Sequence, residues 1–533
     1  MRWIKRLVLG LLALVLLLAA VLTGLLRGSL AQLDGERNAS AAELAAPVEL
    51  QRDARGYLSV VAENRLDAAR ALGFAHAQER FFQMDLLRRN AAGELAALVG
   101  AKALPLDKAR RVHRFRPRAE AALAALDVPD HQLLDAYAAG VNAGLAALSV
   151  RPPEYLLLRQ APVAWRAADT LLVTLSMYID LQRGQGRDEL AMGALHSLVP
   201  PDWYAFLTQH SSDYQAALDD SRVDPVPVPA SPWPAALRAA QVACSDCRGT
   251  DARDIGSNNF AVSAAHATHG HAMVADDMHL GLRVPGTWFK ARLQWKEQGA
   301  ARDVTGVTLP GTPLVVAGSN GQVAWGFTNT TSDWTDVIRL QLSANGQAYR
   351  SGGADKPFIR HQERIEVAGA PAESVEVLET DWGPVLEPAG QRGPRHALRW
   401  VAYDPQGLNL GLRQLEPPAT VAEAVRAAAG MGLPAQNLML ADRTGRIAWT
   451  VAGAIPRRVG NDDPNRPQDW SDGKPRWQGY LGPDEQPRVL DTADGRLWTA
   501  NSRMVGGAAL AKLGNGGYDL GARAQQIRDA LRA

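Results

Sequence analysis

Hydrophobic and polar positions change rhythm along this chain, and each change marks an element. Leu7 to Leu26 is an uncharged, predominantly apolar run, long enough to cross a bilayer as one helix. Val48 to Asp53 and Tyr57 to Val61 are short extended pieces around a turn at Arg55-Gly56, which predicts a hairpin. From Asn64 to Val99 apolar residues such as Leu72, Ala75, Phe82 and Leu86 fall at helical spacing. The helical rhythm continues to about Asp220 and then stops. Val223-Asp224-Pro225-Val226-Pro227-Val228-Pro229 and Ser231-Pro232-Trp233-Pro234 cannot run as regular helix, because proline lacks the amide hydrogen. They predict an exposed linker. From Ser257 short alternating strands take over. Ser257 to Ser263 and His271 to Ala275 flank a turn at Gly270. Leu314 to Ala317 and Gln322 to Phe327 flank Asn320-Gly321, the strongest short hairpin signal. Further strands are predicted at Glu373 to Leu378, Ala397 to Val401, Asn437 to Ala441 and Arg446 to Val451.

This order predicts an α+β protein in four segments: 1–31 as a signal anchor or signal peptide, 32–220 mainly helical, 221–256 as spacer or linker, and 257–533 β-rich. Arg2, Lys5 and Arg6 precede the apolar run, which places the N-terminus in the cytoplasm. Residues 7–26 would then anchor the rest on the periplasmic side of the inner membrane. Cleavage near Ser29-Leu30-Ala31 is the alternative, and it too delivers the chain to the periplasm. The 57 Lys and Arg nearly cancel the 56 Asp and Glu, so nothing points to nucleic acid or another polyanion. Cys244 and Cys247 form one C-x-x-C with no further ligands at zinc spacing. They read as an incidental pair in the linker.

Gly256-Ser257 stands at the head of the first β-rich strand, just after the linker, and is a plausible place for the chain to be cut. A serine hydroxyl is a weak nucleophile until a base takes its proton. Cleavage before Ser257 would give it a free α-amine, which titrates near pH ~8. Base and nucleophile would then share one residue, so positioning them costs little entropy. Glycine at 256 leaves the carbonyl uncrowded and the backbone permissive. By itself a Gly-Ser step is also an ordinary turn.

Ser257-Asn258-Asn259-Phe260-Ala261-Val262, followed by Ala275-Asp276-Asp277-Met278-His279-Leu280, resembles the start of the β chain in the penicillin acylase family. These are N-terminal nucleophile (Ntn) hydrolases, and they include penicillin, cephalosporin and acyl-homoserine-lactone acylases. Ala71 to Arg89 resembles the family's early α-chain helix; its His76 reads as part of a buried polar network. The resemblance implies an αββα sandwich of antiparallel sheets preceded by a helical α-chain region, with the spacer removed on maturation. It implies hydrolysis of a linear amide in a small N-acyl substrate, antibiotic or other, through an acyl-enzyme on Ser257. It places the oxyanion donors at the backbone N–H of Asn329 and the side chain of Asn437. His279 would orient the amine or the substrate, and Arg458 would lie near the site. Asn501 matches another family segment without a role. The resemblance also implies a structural Ca²⁺ held by Glu189, Asp333, the Thr335 carbonyl and Asp336, tying the α and β chains together. The reaction itself needs no cofactor.

Family members continue well past the point matching Ala533, so some strands, pocket walls and sheet edges are expected to be missing. The competing expectation is a non-processed, inactive membrane-tethered remnant or binding protein. A metal hydrolase built on His266, His269, His271 and His279 is a third reading, without a supporting carboxylate-helix motif.

Overall fold

The computed structural model describes residues 2–40, 43–182, 186–235, 237, 256–386, 394–460 and 463–533. Cys244, Cys247 and the downstream half of the linker lie outside the described residues. The helix Arg2–Gly28 buries no residue and is long and apolar enough to cross a membrane, which fits a signal or an anchor.

The helical region is built around Arg65–Ala92. Asn64 caps it by accepting from the Asp67 N–H at 2.8 Å. It ends at Gly93, whose left-handed φ of 66° closes the last turn. The helix expected to run to Val99 is therefore two pieces, with Ala96–Val99 separate. Val128–Ala147 packs tightly on it: a Cβ on Gly140 would sit 1.9 Å from the Arg70 carbonyl oxygen. Buried charge fixes the third helix, Ala167–Leu181. Arg88 pairs with Asp85 at 2.7 Å and with Asp169 at 2.6 Å, and the Tyr155 hydroxyl donates to Asp85. His76 lies fully buried between the Tyr137 and Thr308 hydroxyls, at 2.8 and 3.0 Å. Burial pushes its imidazole down to about 3, so it sits there neutral.

Nine strands form the main sheet, in the order Glu49–Arg52, Leu58–Val61, Phe289–Glu297, Ala300–Thr308, Val315–Ser319, Val323–Asn329, Gln436–Asp442, Ile447–Ala452 and Arg488–Leu490. Every neighbour is antiparallel except Leu58–Val61 beside Phe289–Glu297. Parallel strands need a long crossover, and here the whole helical region supplies it. A three-stranded sheet, Arg496–Thr499, Gly256–Val262 and Met273–His279, packs across the main one. Thr328 and Thr499 share a hydrogen bond of 2.8 Å between the two sheets, and Asp276 accepts from the Phe327 N–H at 3.2 Å. A separate five-stranded sheet runs Ile359–Val367, Ala370–Thr380, Gly383–Leu386, His396–Trp400 and Thr335–Arg339.

Candidate active site

Ser257 sits second in the strand Gly256–Val262, opposite Met278, and is 5% exposed. Its Oγ accepts from the backbone N–H of Asn329 at 3.2 Å, across the gap between the two sheets. The Asn501 side chain closes the other side: Nδ2 donates to Ser257 Oγ at 3.2 Å, and Oδ1 accepts from the Ser257 N–H at 2.7 Å. Arg523 stands behind. Its Nη2 donates to Asn501 Oδ1 at 2.9 Å, and its Nη1 to the Ser257 carbonyl at 3.0 Å and Asn258 Oδ1 at 2.8 Å. A Cβ on Gly256 would lie 3.0 Å from Arg523 Nη2 and 3.1 Å from Asn501 Oδ1. Only glycine leaves that arrangement undisturbed.

Asn437 is buried on the strand Gln436–Asp442, one step from the nucleophile. Its Nδ2 donates to the Thr328 hydroxyl at 3.0 Å and the Asn329 carbonyl at 3.3 Å, and its Oδ1 accepts from Trp449 at 3.0 Å. In this arrangement the side chain reaching Ser257 Oγ is that of Asn501. The backbone of His279 lies opposite Gly256 across the strand pair. Its ring is turned away, towards Asp277 at 2.9 Å and Asn258 at 3.2 Å.

Asn501 and Arg523 are the residues that sequence reasoning missed, the first left without a role. Asn501 has a φ of 65°, a left-handed conformation that asparagine tolerates better than most residues. It follows the strand Arg496–Thr499, which pairs with the nucleophile strand. Its match to a family segment is the signal in the sequence, and the strand pairing supplies the role.

An apolar cavity of about 140 Å³ opens beside Ser257. Met177 and Leu181 from the helical region, Met278, Trp288, Leu309 and Phe327 form much of its wall, and among the described residues no charged side chain lines it.

Glu189, Asp333, Thr335 and Asp336, the expected calcium ligands, do come together. All three carboxylates are buried. Glu189 accepts from the Thr335 hydroxyl at 2.7 Å and the Val337 N–H at 2.6 Å. The guanidinium of Arg458 occupies their midst. Nε donates to Asp336 at 2.8 Å, and Nη2 donates to the carbonyls of Asp333 at 3.2 Å and Thr335 at 3.0 Å. Burial raises the Glu189 carboxyl well above its ordinary range, helped by the neighbouring Asp333 and Asp336, and pushes Asp333 up to about 7 against the pull of Arg458. Burial also opposes the charge on Arg458, but Asp333 and Asp336 outweigh it. Calcium takes six to eight oxygens at about 2.3–2.6 Å. Here the Thr335 carbonyl and both Glu189 oxygens already serve protein donors, and no group of three or more His, Cys, Asp or Glu among the described residues is arranged to hold a metal. As they stand, these residues do not fit the ion.

The sequence model of the penicillin amidase family matches residues 47–533. The chain belongs to that family. It is 31% identical over 474 residues to penicillin acylase 2 proenzyme of a Pseudomonas species (strain SE83), covering 87% of this chain and 59% of that one. An acyl-homoserine lactone acylase of Pseudomonas aeruginosa is 30% identical over 501 residues, covering 89% of this chain and 57% of its own. A solved thermostable penicillin G acylase from Alcaligenes faecalis is 22% identical, matching 52% of this chain and 49% of its own with a TM-score of 0.46. The chain thus spans somewhat more than half the length of the curated relatives it matches. The fold is that of the family, with mixed helices and sheets.

Proposed function

We propose that this chain carries the catalytic centre of an exported acylase that hydrolyses the linear amide of a small N-acyl substrate. The observation that carries the reading is Ser257 Oγ, held at 3.2 Å by both the Asn329 N–H and Asn501 Nδ2 on the wall of an uncharged apolar cavity. Relatives named as penicillin and acyl-homoserine lactone acylases support the same reading.

Maturation begins when Ser257 Oγ attacks the carbonyl carbon of Gly256. The acyl group passes from nitrogen to oxygen, and the α-amine of Ser257 is released. Water then hydrolyses the ester, leaving Gly256 as a carboxylate and Ser257 as an N-terminus. This divides the helical α-chain region and its spacer from the β chain at 257–533, and the paired sheets form the core of the αββα sandwich. The freed amine still reaches Asn501 Oδ1 as a donor, which leaves its lone pair for the hydroxyl proton.

In turnover the amine takes the Oγ proton while Oγ attacks the substrate carbonyl. The Asn329 N–H and an asparagine side chain, from Asn501 or Asn437, receive the developing oxyanion. Collapse expels the leaving amine with the proton from Ser257, and water activated by the same amine releases the acid. Because no charged side chain among the described residues lines the cavity, the acyl group is an apolar one, not one ending in a carboxylate, whose burial unpaired would be expensive. The apolar N-terminal helix carries the chain to the periplasm as a signal or as an inner-membrane anchor. No nucleic acid takes part.

N-terminal sequencing of the purified protein beside Ser257→Ala tests the proposal, together with release of amine from an N-acyl amide with an apolar acyl chain. Cleavage and turnover in the parent, with neither in the variant, is expected. An uncut parent chain, or equal cleavage in both, would overturn self-processing.

A further inference from the structure

We infer that Arg458 is the resident cation of the Glu189–Asp333–Asp336 cluster, filling by protein alone the place a divalent ion would take between the helical and β-rich regions.

The geometry is that of a built site. Glu189 belongs to the helix Arg187–Leu198, ahead of the nucleophile in the chain. Asp333 lies just before the strand Thr335–Arg339, and Asp336 lies within it. Arg458 reaches in from the strand Pro456–Val459. Its Nε donates to Asp336 Oδ2 at 2.8 Å, and its Nη2 lies 3.1 Å from Asp333 Oδ2 while donating to two backbone carbonyls. The side chain is 12% exposed, and Asp333 and Asp336 are 6% and 1% exposed. The Trp477 ring packs 5.6 Å from the guanidinium carbon, and its N–H donates to Asp336. A planar guanidinium with five hydrogens suits several oxygens spread around a plane, which an ammonium cannot match. Glu189 completes the link without touching the arginine, through the Thr335 hydroxyl and the Val337 N–H. Removing the arginine would leave buried carboxylates without their counter-charge, which is strongly destabilising.

No catalytic activity is needed for the test. On the full chain it consists of metal analysis after dialysis, and thermal unfolding in EDTA and in added Ca²⁺. Expected are no stoichiometric calcium and a melting temperature that neither condition moves. Arg458→Met is expected to lower the melting temperature by several degrees, with Arg458→Lys recovering only part. If Arg458→Met does not fold, the parent and Arg458→Lys measurements still decide. Stoichiometric calcium in the parent, with a melting temperature that drops in EDTA and returns with Ca²⁺, would overturn the inference. So would Arg458→Met or Arg458→Lys melting like the parent.

Discussion

Two arginines organise this molecule's polar interior, and they do opposite things with the same charge. Arg458 is enclosed by carboxylates and carbonyls, 12% exposed, and its charge is fully engaged in holding them together. Arg523 is 32% exposed and meets a single carboxylate, Asp519, at 3.1 Å. Its other hydrogens go to neutral oxygens of Asn501, Asn258 and Ser257. The first guanidinium is spent on cohesion. The second is shared between Asp519 and the neutral oxygens around Ser257, and its charge also reaches Asp277. Burial and partner charge, rather than residue type, separate the two.

The largest expected effect removes what the Arg523 side serves. Ser257→Ala leaves a single intact chain and abolishes amide hydrolysis, as read by gel and by amine release, while its melting temperature stays near the parent's. Next comes a third arginine of the enclosed kind. Arg88→Met takes one of two arginine partners from each of Asp85 and Asp169, leaving Arg89 and Arg116, and is expected to cost about 3 kcal/mol of stability, the low end for a broken buried pair, measured by denaturant unfolding. Asn501→Ala takes one donor from Ser257 Oγ and should slow both processing and turnover by about 10²–10³. A loss confined to stability would place Asn501 with the enclosed group instead. Arg523→Gln gives the smallest effect. It loosens the hold on Asn501 Oδ1 and the Ser257 carbonyl and should lower kcat/KM by about tenfold, roughly the worth of one hydrogen bond, at an unchanged melting temperature. Unchanged kcat/KM with a lower melting temperature would make Arg523 a purely structural residue, like Arg458.

What the sequence revealed depended on how local each feature is. The strand from Ser257 and a partner at His271 to Ala275 could be read from alternation and a turn, and the structure pairs Gly256–Val262 with a strand shifted to Met273–His279. The lack of helix or strand over 221–229 could be read from the prolines there. The helix break was not seen, because Gly93 is one glycine in an otherwise periodic stretch, and its left-handed conformation is set by the packing around it. Asn501 and Arg523 escaped because their contacts with Ser257 span 244 and 266 positions of chain. No spacing rule reaches that far. Glu189, Asp333, Thr335 and Asp336 lie near one another in the structure, but the Arg458 guanidinium beside Asp333 and Asp336 could not be read from the sequence. A lone arginine in sequence carries no sign that it will fold into a cage of carboxylates.

The parallel strand pair in the main sheet bears on how two fragments would stay together after a cut. Leu58–Val61 lies upstream of Ser257 and Phe289–Glu297 lies downstream, and their ladder continues the same sheet. Opening the bond before Ser257 would therefore yield two polypeptides already interlaced by backbone hydrogen bonds and a shared interior. Such a pair is made by one chain folding first and parting afterwards. Mixing the two fragments from separate unfolded pools would be a much harder route to it.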